Sequence, residues 1–512
     1  MPGTMTRFFI SAATALSLSV SAGALFAAPE GVLRVAVGAD PETFDPHFND
    51  LPTGNTVDKL VLEGLFRLDN QNNVLPELAE EWGFSDDGMT FTVKIKPDRV
   101  FSNGDPLDAA AVAASFNRLL DPEVGAIYRG LYSSIGEAVA TDDTTVEFKM
   151  ATPNGHILLL LSSTTATIVN TKAIETMGAE YSRMPVGSGP YLVESFVGGE
   201  RYRLVPNPTY QGDYPATLEA IDFLVVPEDG SRMALMETGE VHIVERVPPE
   251  AVETINALPQ AEVIQPPSMF SINMELVLRG PLEDPKVREA LNLSLDREGM
   301  VQGILGGLGT VSVGMVGPGT QDELRRTYDP IPFDPVRAKE LIAEAGYQPG
   351  QIELTMTCPT GRYIKDVQVC QAVQAQFQAI GVNAKANIVD RGTWSNVAAT
   401  PPADRTDNMA LLGRATAGID FTLFRLFSTG VSANTTGFSD PKVDELLLAG
   451  RSTTDIDKQR EIYGEIQDII WDTQPFVFLW YQKQALGVAD SVSGFEVQPN
   501  ETMNFDQVRL TE

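Results

Sequence analysis

The chain has 512 residues, 43% of them hydrophobic, enough to close several large cores, and at ~100–200 residues per domain its length suits about two to four domains. Its 69 acidic and 37 basic residues leave a formal net charge of −32, which argues against nucleic acid, because phosphate binding needs clustered Lys and Arg. The charge reads instead as the solubility charge of an exported protein.

The chain opens with Arg7, an apolar stretch from Phe8 to Val20, and small residues through Ala22-Gly23-Ala24 and Leu25-Phe26-Ala27. That is the pattern of a secretory signal peptide, over 1–27, with cleavage after Ala24 or Ala27. The apolar run falls short of the ~20 residues that span a bilayer. No cysteine follows it, so there is no site for a lipid anchor and the mature chain is expected free in the periplasm. Leu33, Val35 and Val37 then alternate with Arg34 and Ala36, a strand period, as do Phe91, Val93 and Ile95, and Val146, Phe148 and Met150. Asp108 can cap a helix from Ala109 to Leu120, and three later helices open on Asp-Pro at Asp284, Asp334 and Asp440. There Asp accepts from free backbone amides and Pro suits the first turn. After Asp334-Pro335, Val336, Leu341, Ile342 and Ala345 supply an apolar stripe that Gly346 stops. Val369, Val373, Phe377 and Ile380 keep helical spacing up to Gly381. Strands and helices alternate in mixed order, which favours an α/β or α+β architecture.

Only Cys358 and Cys370 are present, and in an oxidising compartment such an isolated pair is expected to form a disulfide. A metal would need further ligands, and the histidines, His47, His156 and His242, are scattered. Gly187-Ser188-Gly189 lacks the spacing of a nucleophile elbow. The glycine-rich Gly303 to Gly309 region lacks the Lys-Ser/Thr of a phosphate loop. No catalytic residue, cofactor or metal is expected, and binding is the better reading.

Several segments, taken in order, carry a resemblance. These are Asp40-Pro41-Glu42-Thr43-Phe44-Asp45-Pro46, Leu62-Glu63-Gly64-Leu65-Phe66, Pro76-Glu77-Leu78-Ala79, Phe101-Ser102-Asn103-Gly104 and Pro185-Val186-Gly187-Ser188-Gly189-Pro190-Tyr191. Farther on come Asp284-Pro285-Lys286-Val287-Arg288-Glu289-Ala290-Leu291-Asn292, Asp296-Arg297, and Asp334-Pro335 through Ala345-Gly346-Tyr347. Together they resemble the extracytoplasmic solute-binding proteins of ABC importers, the dipeptide, oligopeptide and nickel class known as family 5. The resemblance implies an α/β fold of the periplasmic-binding-protein type, with two lobes and a two-strand hinge. Lobe I would be discontinuous, made of 28–75, 190–267 and 485–512, with a subdomain at 76–189 inserted, and lobe II would cover 268–484. It further implies a monomer that captures a peptide or peptide-like polar ligand between the lobes and delivers it to permease subunits powered by cytoplasmic ATPases. Rival readings are another solute (sugar-containing, opine-like or a metal chelate), an exported hydrolase, or a periplasmic chaperone.

Ligand residues carry over one position at a time. Dipeptide binders hold the ligand amine with a Gly-Trp-x-x-Asp segment. Here it reads Gly413-Arg414-Ala415-Thr416-Ala417, so Arg414 replaces Trp, Ala417 replaces Asp, and Asp420 is the candidate substitute carboxylate. Arg362, beside Tyr363 in Cys358-Pro359-Thr360-Gly361-Arg362-Tyr363, resembles the arginine that grips the ligand carboxylate, a role its planar fork of donors suits. Phe44, His47, Trp394 and Asn434 complete the candidates. Core packing competes with ligand stacking for Phe44 and Trp394, and exposure on a loop competes with ligand contact for His47.

Overall fold

The computed structural model describes residues 31–511 apart from 42, 50, 415–417 and 432–433; the expected signal peptide lies outside the described residues. Three sheets organise the chain. The first has seven strands in the order Ala261–Ile264, Leu486–Ala489, Ile243–Val244, Val32–Val37, Ala220–Val225, Arg201–Pro206, Tyr191–Val197. Val32–Val37 runs parallel to both of its neighbours. Its Leu33, Val35 and Val37 enter one core, while Ala36 enters another with Met233 and Met236. Because both faces are covered, the alternation in the sequence separates two apolar layers rather than core from solvent.

The second sheet has six strands, in the order Gly309–Val311, Phe476–Lys483, Pro267–Leu276, Met409–Arg414, Ile352–Pro359, Val382–Val389. Helices Pro285–Leu293 and Asp366–Ala379 pack on one side of it, and Ile419–Phe427, Pro441–Ser452 and Ile456–Thr473 contribute to a separate core. A third sheet of four antiparallel strands, Ala79–Phe84, Thr90–Ile95, Thr145–Met150 and Ile135–Ala140, carries helix Ala109–Leu120. The molecule is thus two lobes with a subdomain on the first. The chain crosses from the first sheet to the second after Ile264 and returns between Lys483 and Leu486. Gln484 braces the crossings, its Nε2 donating to the carbonyls of Pro267 (3.3 Å) and Gln498 (3.0 Å).

The local signals act as their chemistry demands. Asp284, Asp334 and Asp440 accept from the backbone N–H of Lys286, Arg337 and Lys442, each with proline in the first turn. One expectation fails: Val336 is 68% exposed, because the first turn faces outward and only Ala338, Leu341 and Ile342 are buried. Gly187 is required sterically, since a Cβ there would lie 1.9 Å from the carbonyl oxygen of Val61. Arg297 is buried, with its guanidinium on the carbonyls of Asn292 (2.8 Å) and Phe478 (2.5 Å) and on Asn292 Oδ1 (2.9 Å). These motif residues build the frame on which the site rests.

Candidate functional site

A cavity of about 290 Å³ lies between the lobes. Helix Pro52–Val61 presents Lys59 to it, strand Phe66–Leu68 presents Phe66 and Arg67, and the subdomain presents Leu159 and Leu160. The second lobe answers with Phe270, Arg362, Phe421 and Arg425. Its rims touch across the gap. Gly155 N–H donates to the carbonyl of Arg451 at 2.9 Å, His156 Nε2 meets Tyr463 Oη at 3.0 Å, and Lys365 pairs with Glu250 at 2.8 Å. A recess of about 240 Å³ adjoins it, sharing Tyr128, Phe270, Arg362 and Arg425.

The walls mix apolar surface with charge, and only some of the cations are paired. The carboxylates lining the cleft, Glu77 and Asp420, are both engaged. Glu77 accepts from Gly64 N–H at 2.6 Å and pairs with Arg67 at 3.5 Å, while burial pushes its carboxyl up against the pull of Arg67. Asp420 takes Arg451 through Oδ2, at 2.9 and 3.1 Å, and accepts from Tyr463 Oη–H at 2.9 Å through Oδ1. Burial pushes the Tyr463 hydroxyl up, and the Asp420 charge adds to the effect. By contrast, Lys59, Arg362, Arg391 and Arg425, which line the cleft or the recess, have no ion-pair partner among the described residues. Lys59 Nζ is buried without a hydrogen-bond partner, and burial lowers its pKa to about 8, with Asp506, Arg67, Glu77 and Asp69 as charged neighbours. Burial likewise lowers Arg425 to about 10, and the charge of Arg414 lowers it further.

Arg362 owes its position to its loop. Asp366, in the first turn of helix Asp366–Ala379, accepts from the backbone N–H groups of Gly361 (3.3 Å), Arg362 (2.8 Å) and Tyr363 (3.1 Å). A disulfide joins Cys358, in strand Ile352–Pro359, to Cys370 in that helix. The guanidinium lies over the rings of Tyr363, at 4.9 Å, and Phe270, at 5.8 Å, geometry suited to an arginine held by ring faces while its donors remain available.

The other expected residues separate. Arg414 and Trp394 line the recess. Tyr363 lines neither cavity: it is buried, its Oη accepts from Gly413 N–H at 2.6 Å, and its ring meets Trp394 edge-on at 5.8 Å. Asp420 lines the cleft, with Oδ1 accepting from Tyr463 and Oδ2 from Arg451. Ala417 lies outside the described residues. Phe44 is a core residue at 1% exposure, packed edge-on against Phe196 and Tyr202. His47 is buried as well, not exposed on a loop, and Arg118 Nη1 lies 2.6 Å from its Nδ1. Asn434 ties a turn, its Nδ2 donating to the carbonyls of Ser428 (3.2 Å) and Phe438 (2.7 Å). Sequence reasoning missed Lys59, Phe270, Phe421, Arg425 and Arg451. The available signal was a lone cation inside an apolar helix, as in Leu423-Phe424-Arg425-Leu426-Phe427. Among the described residues no cluster of three or more His, Cys, Asp or Glu could hold a metal, and no helix is long and apolar enough to cross a membrane.

Residues 73–420 match the family described as bacterial extracellular solute-binding proteins, family 5 Middle. The glutathione-binding protein GsiB of Salmonella typhimurium (strain LT2) is 29% identical over 517 aligned positions, covering 99% of this chain and 100% of that one. Among solved structures, the periplasmic binding protein DppA from Helicobacter pylori in complex with peptide STSA aligns with a TM-score of 0.82 at 22% identity, covering 94% of this chain and 98% of that one. The binding protein AgaA from A.tumefacien R10 in complex with agropinic acid aligns with a TM-score of 0.81 at 22% identity, covering 94% and 99%.

Proposed function

The chain belongs to the bacterial extracellular solute-binding proteins of family 5, and from that premise we propose that its cleft captures a peptide-like acid carrying more than one carboxylate. As the solute-capturing component of an ABC importer, it delivers its ligand to an importer in the membrane. We place it in the periplasm as a monomer, with the inner-membrane permease and its ATPase subunits as partners. No catalytic step is part of the reading. The rigid bodies of closure are lobe I at 28–75, 190–267 and 485–512, bearing the subdomain at 76–189, and lobe II at 268–484. Ligand contacts made from both sides favour the closed arrangement.

One observation carries the ligand class. In a chain of net charge −32, cationic groups without ion-pair partners gather at the cleft, while its lining carboxylates are engaged. Taking charges out of water without counter-ions is costly, and an anionic ligand supplies what is missing. A ligand amine, in contrast, meets only Glu77 and Asp420 among the carboxylates that line the cleft, and both are already paired with arginine. The glutathione-binding relatives support this class, since a tripeptide with two carboxylates meets the requirement, and an opine-like acid would share its chemistry.

Calorimetry with glutathione and with its diamide tests the reading. Glutathione is expected to bind stoichiometrically and the diamide at least about tenfold more weakly, the scale of one charge-assisted hydrogen bond. Arg362→Ala is expected to weaken glutathione by a similar factor. Equal affinity for acid and amide would remove the ionic basis of recognition, and turnover of the peptide would make the protein an enzyme.

A further inference from the structure

The recess beside the cleft is lined by Arg362, Arg391, Arg414 and Arg425, and among the described residues no carboxylate lines it. Arg414 is oriented from behind. Glu275, fully buried, takes its Nε at 2.5 Å and its Nη2 at 2.7 Å, and Thr435 Oγ1–H donates to the same carboxylate. That bidentate pairing fixes the plane of the fork and leaves Nη1 outside it. Trp394 forms a second fixed wall, with its indole N–H on the carbonyl of Leu411 at 2.9 Å.

The arrangement costs the fold something. Arg425 is half-buried near Arg414 and makes no ion pair among the described residues; desolvation and then the Arg414 charge lower its pKa, against the pull of Tyr128 and Glu275. A solvated basic face would explain Arg391, which is exposed, but not Arg414 and Arg425, which are partly withdrawn from water and line the same recess. Such clustering of like charge is how a protein prepares a position for an anion.

We propose that this recess is an anion subsite, which receives a compact oxyanion of the ligand, carboxylate or phosphate, in addition to the group held in the main cleft. The inference rests on the anionic-ligand reading, and it adds that the ligand is branched or long enough to place a second charged group beyond Arg362. The main cleft and the recess then read two separate charges on one molecule, and a ligand that fills only the main cleft binds more weakly because Arg391 and Arg425 gain no anionic partner.

Thermal melting and calorimetry of the full chain with inorganic phosphate, against chloride at matched ionic strength, test the subsite. Phosphate is expected to raise the melting temperature of the wild type. Arg425→Gln is expected to lose at least about tenfold in phosphate affinity while melting close to wild type in chloride, because the half-buried Arg425 makes no ion pair among the described residues. Arg391→Gln, on the exposed first turn of helix Arg391–Ala399, leaves the core untouched and is expected to weaken phosphate by about threefold, as a solvated contact would. A wild type that responds to phosphate only as it does to chloride, or phosphate affinity unchanged in both variants, overturns the subsite. Glutathione titrated in the same buffers scores the underlying reading separately. Glutathione binding without a phosphate response overturns the recess alone, whereas a phosphate response without binding of any acidic peptide overturns the peptide reading alone. Competition between phosphate and glutathione assigns the recess to a carboxylate of the ligand, and simultaneous binding assigns it to a phosphate.

Discussion

Arg297 and Arg425 are both guanidiniums that burial lowers to about 10, and they do opposite things. Arg297 spends its donors on the carbonyls of Asn292, Leu295 and Phe478 and the side chain of Asn292, so its charge joins a helix to a strand. Arg425 faces a cavity. The first was legible as part of a motif; the second was not, because its meaning depends on which helix face meets the opposite lobe. His47 shows the same limit in reverse. Its neighbours in sequence suggest a ligand-facing loop, but burial lowers it to about 4, beside Asp45 and Arg118. An unfolded histidine titrates near 6.5, so the unfolded chain binds more protons between those values. Stability is therefore full above pH 6.5 and falls as pH drops toward 4, by up to roughly 3 kcal/mol for a shift of that size. Urea midpoints of His47→Gln and wild type at pH 7 and pH 4.5 check this. The variant is expected to show the smaller acid loss, and an equal loss would assign acid sensitivity elsewhere.

Elements whose signals are local were readable. An aspartate that caps, a proline in the first turn and a glycine that ends a helix act within a few residues, so helices Pro285–Leu293, Pro335–Glu344 and Pro441–Ser452 lie where their Asp-Pro steps put them. Sheet order was not readable from those signals, since Leu486–Ala489 pairs with Ile243–Val244 far away in the chain. The family resemblance implied two lobes and a two-strand hinge, without a strand order. The disulfide lies between these cases. Its two cysteines were paired from composition, but that it ties a strand to a helix beside the Arg362 loop emerges only when Asp366 is seen holding that loop. Both cysteines are fully buried, and the closed loop is short. Replacing both with alanine is expected to cost about 3 kcal/mol by the loop-entropy relation. Chemical denaturation measures it, and a loss below about 1 kcal/mol would show that the Asp366 hydrogen bonds and core packing hold the loop unaided.

At the scale of the whole molecule, a net charge of −32 contrasts with the cations without ion-pair partners that line the cleft and the recess. Surface charges are screened over about 8 Å at physiological salt, so an acidic ligand that reaches the cleft responds chiefly to the groups lining it. Those groups come from both lobes, Lys59 from one and Arg362 and Arg425 from the other, while Gly155 and His156 of the subdomain meet Arg451 and Tyr463 at the rim. A ligand with separated charges can thus hold the lobes together by its own contacts. The most direct measurement is mass spectrometry of the small molecule released when the purified, ligand-loaded protein is denatured. The account predicts a stoichiometric, unmodified acid with at least two anionic groups; an uncharged or cationic solute would contradict it.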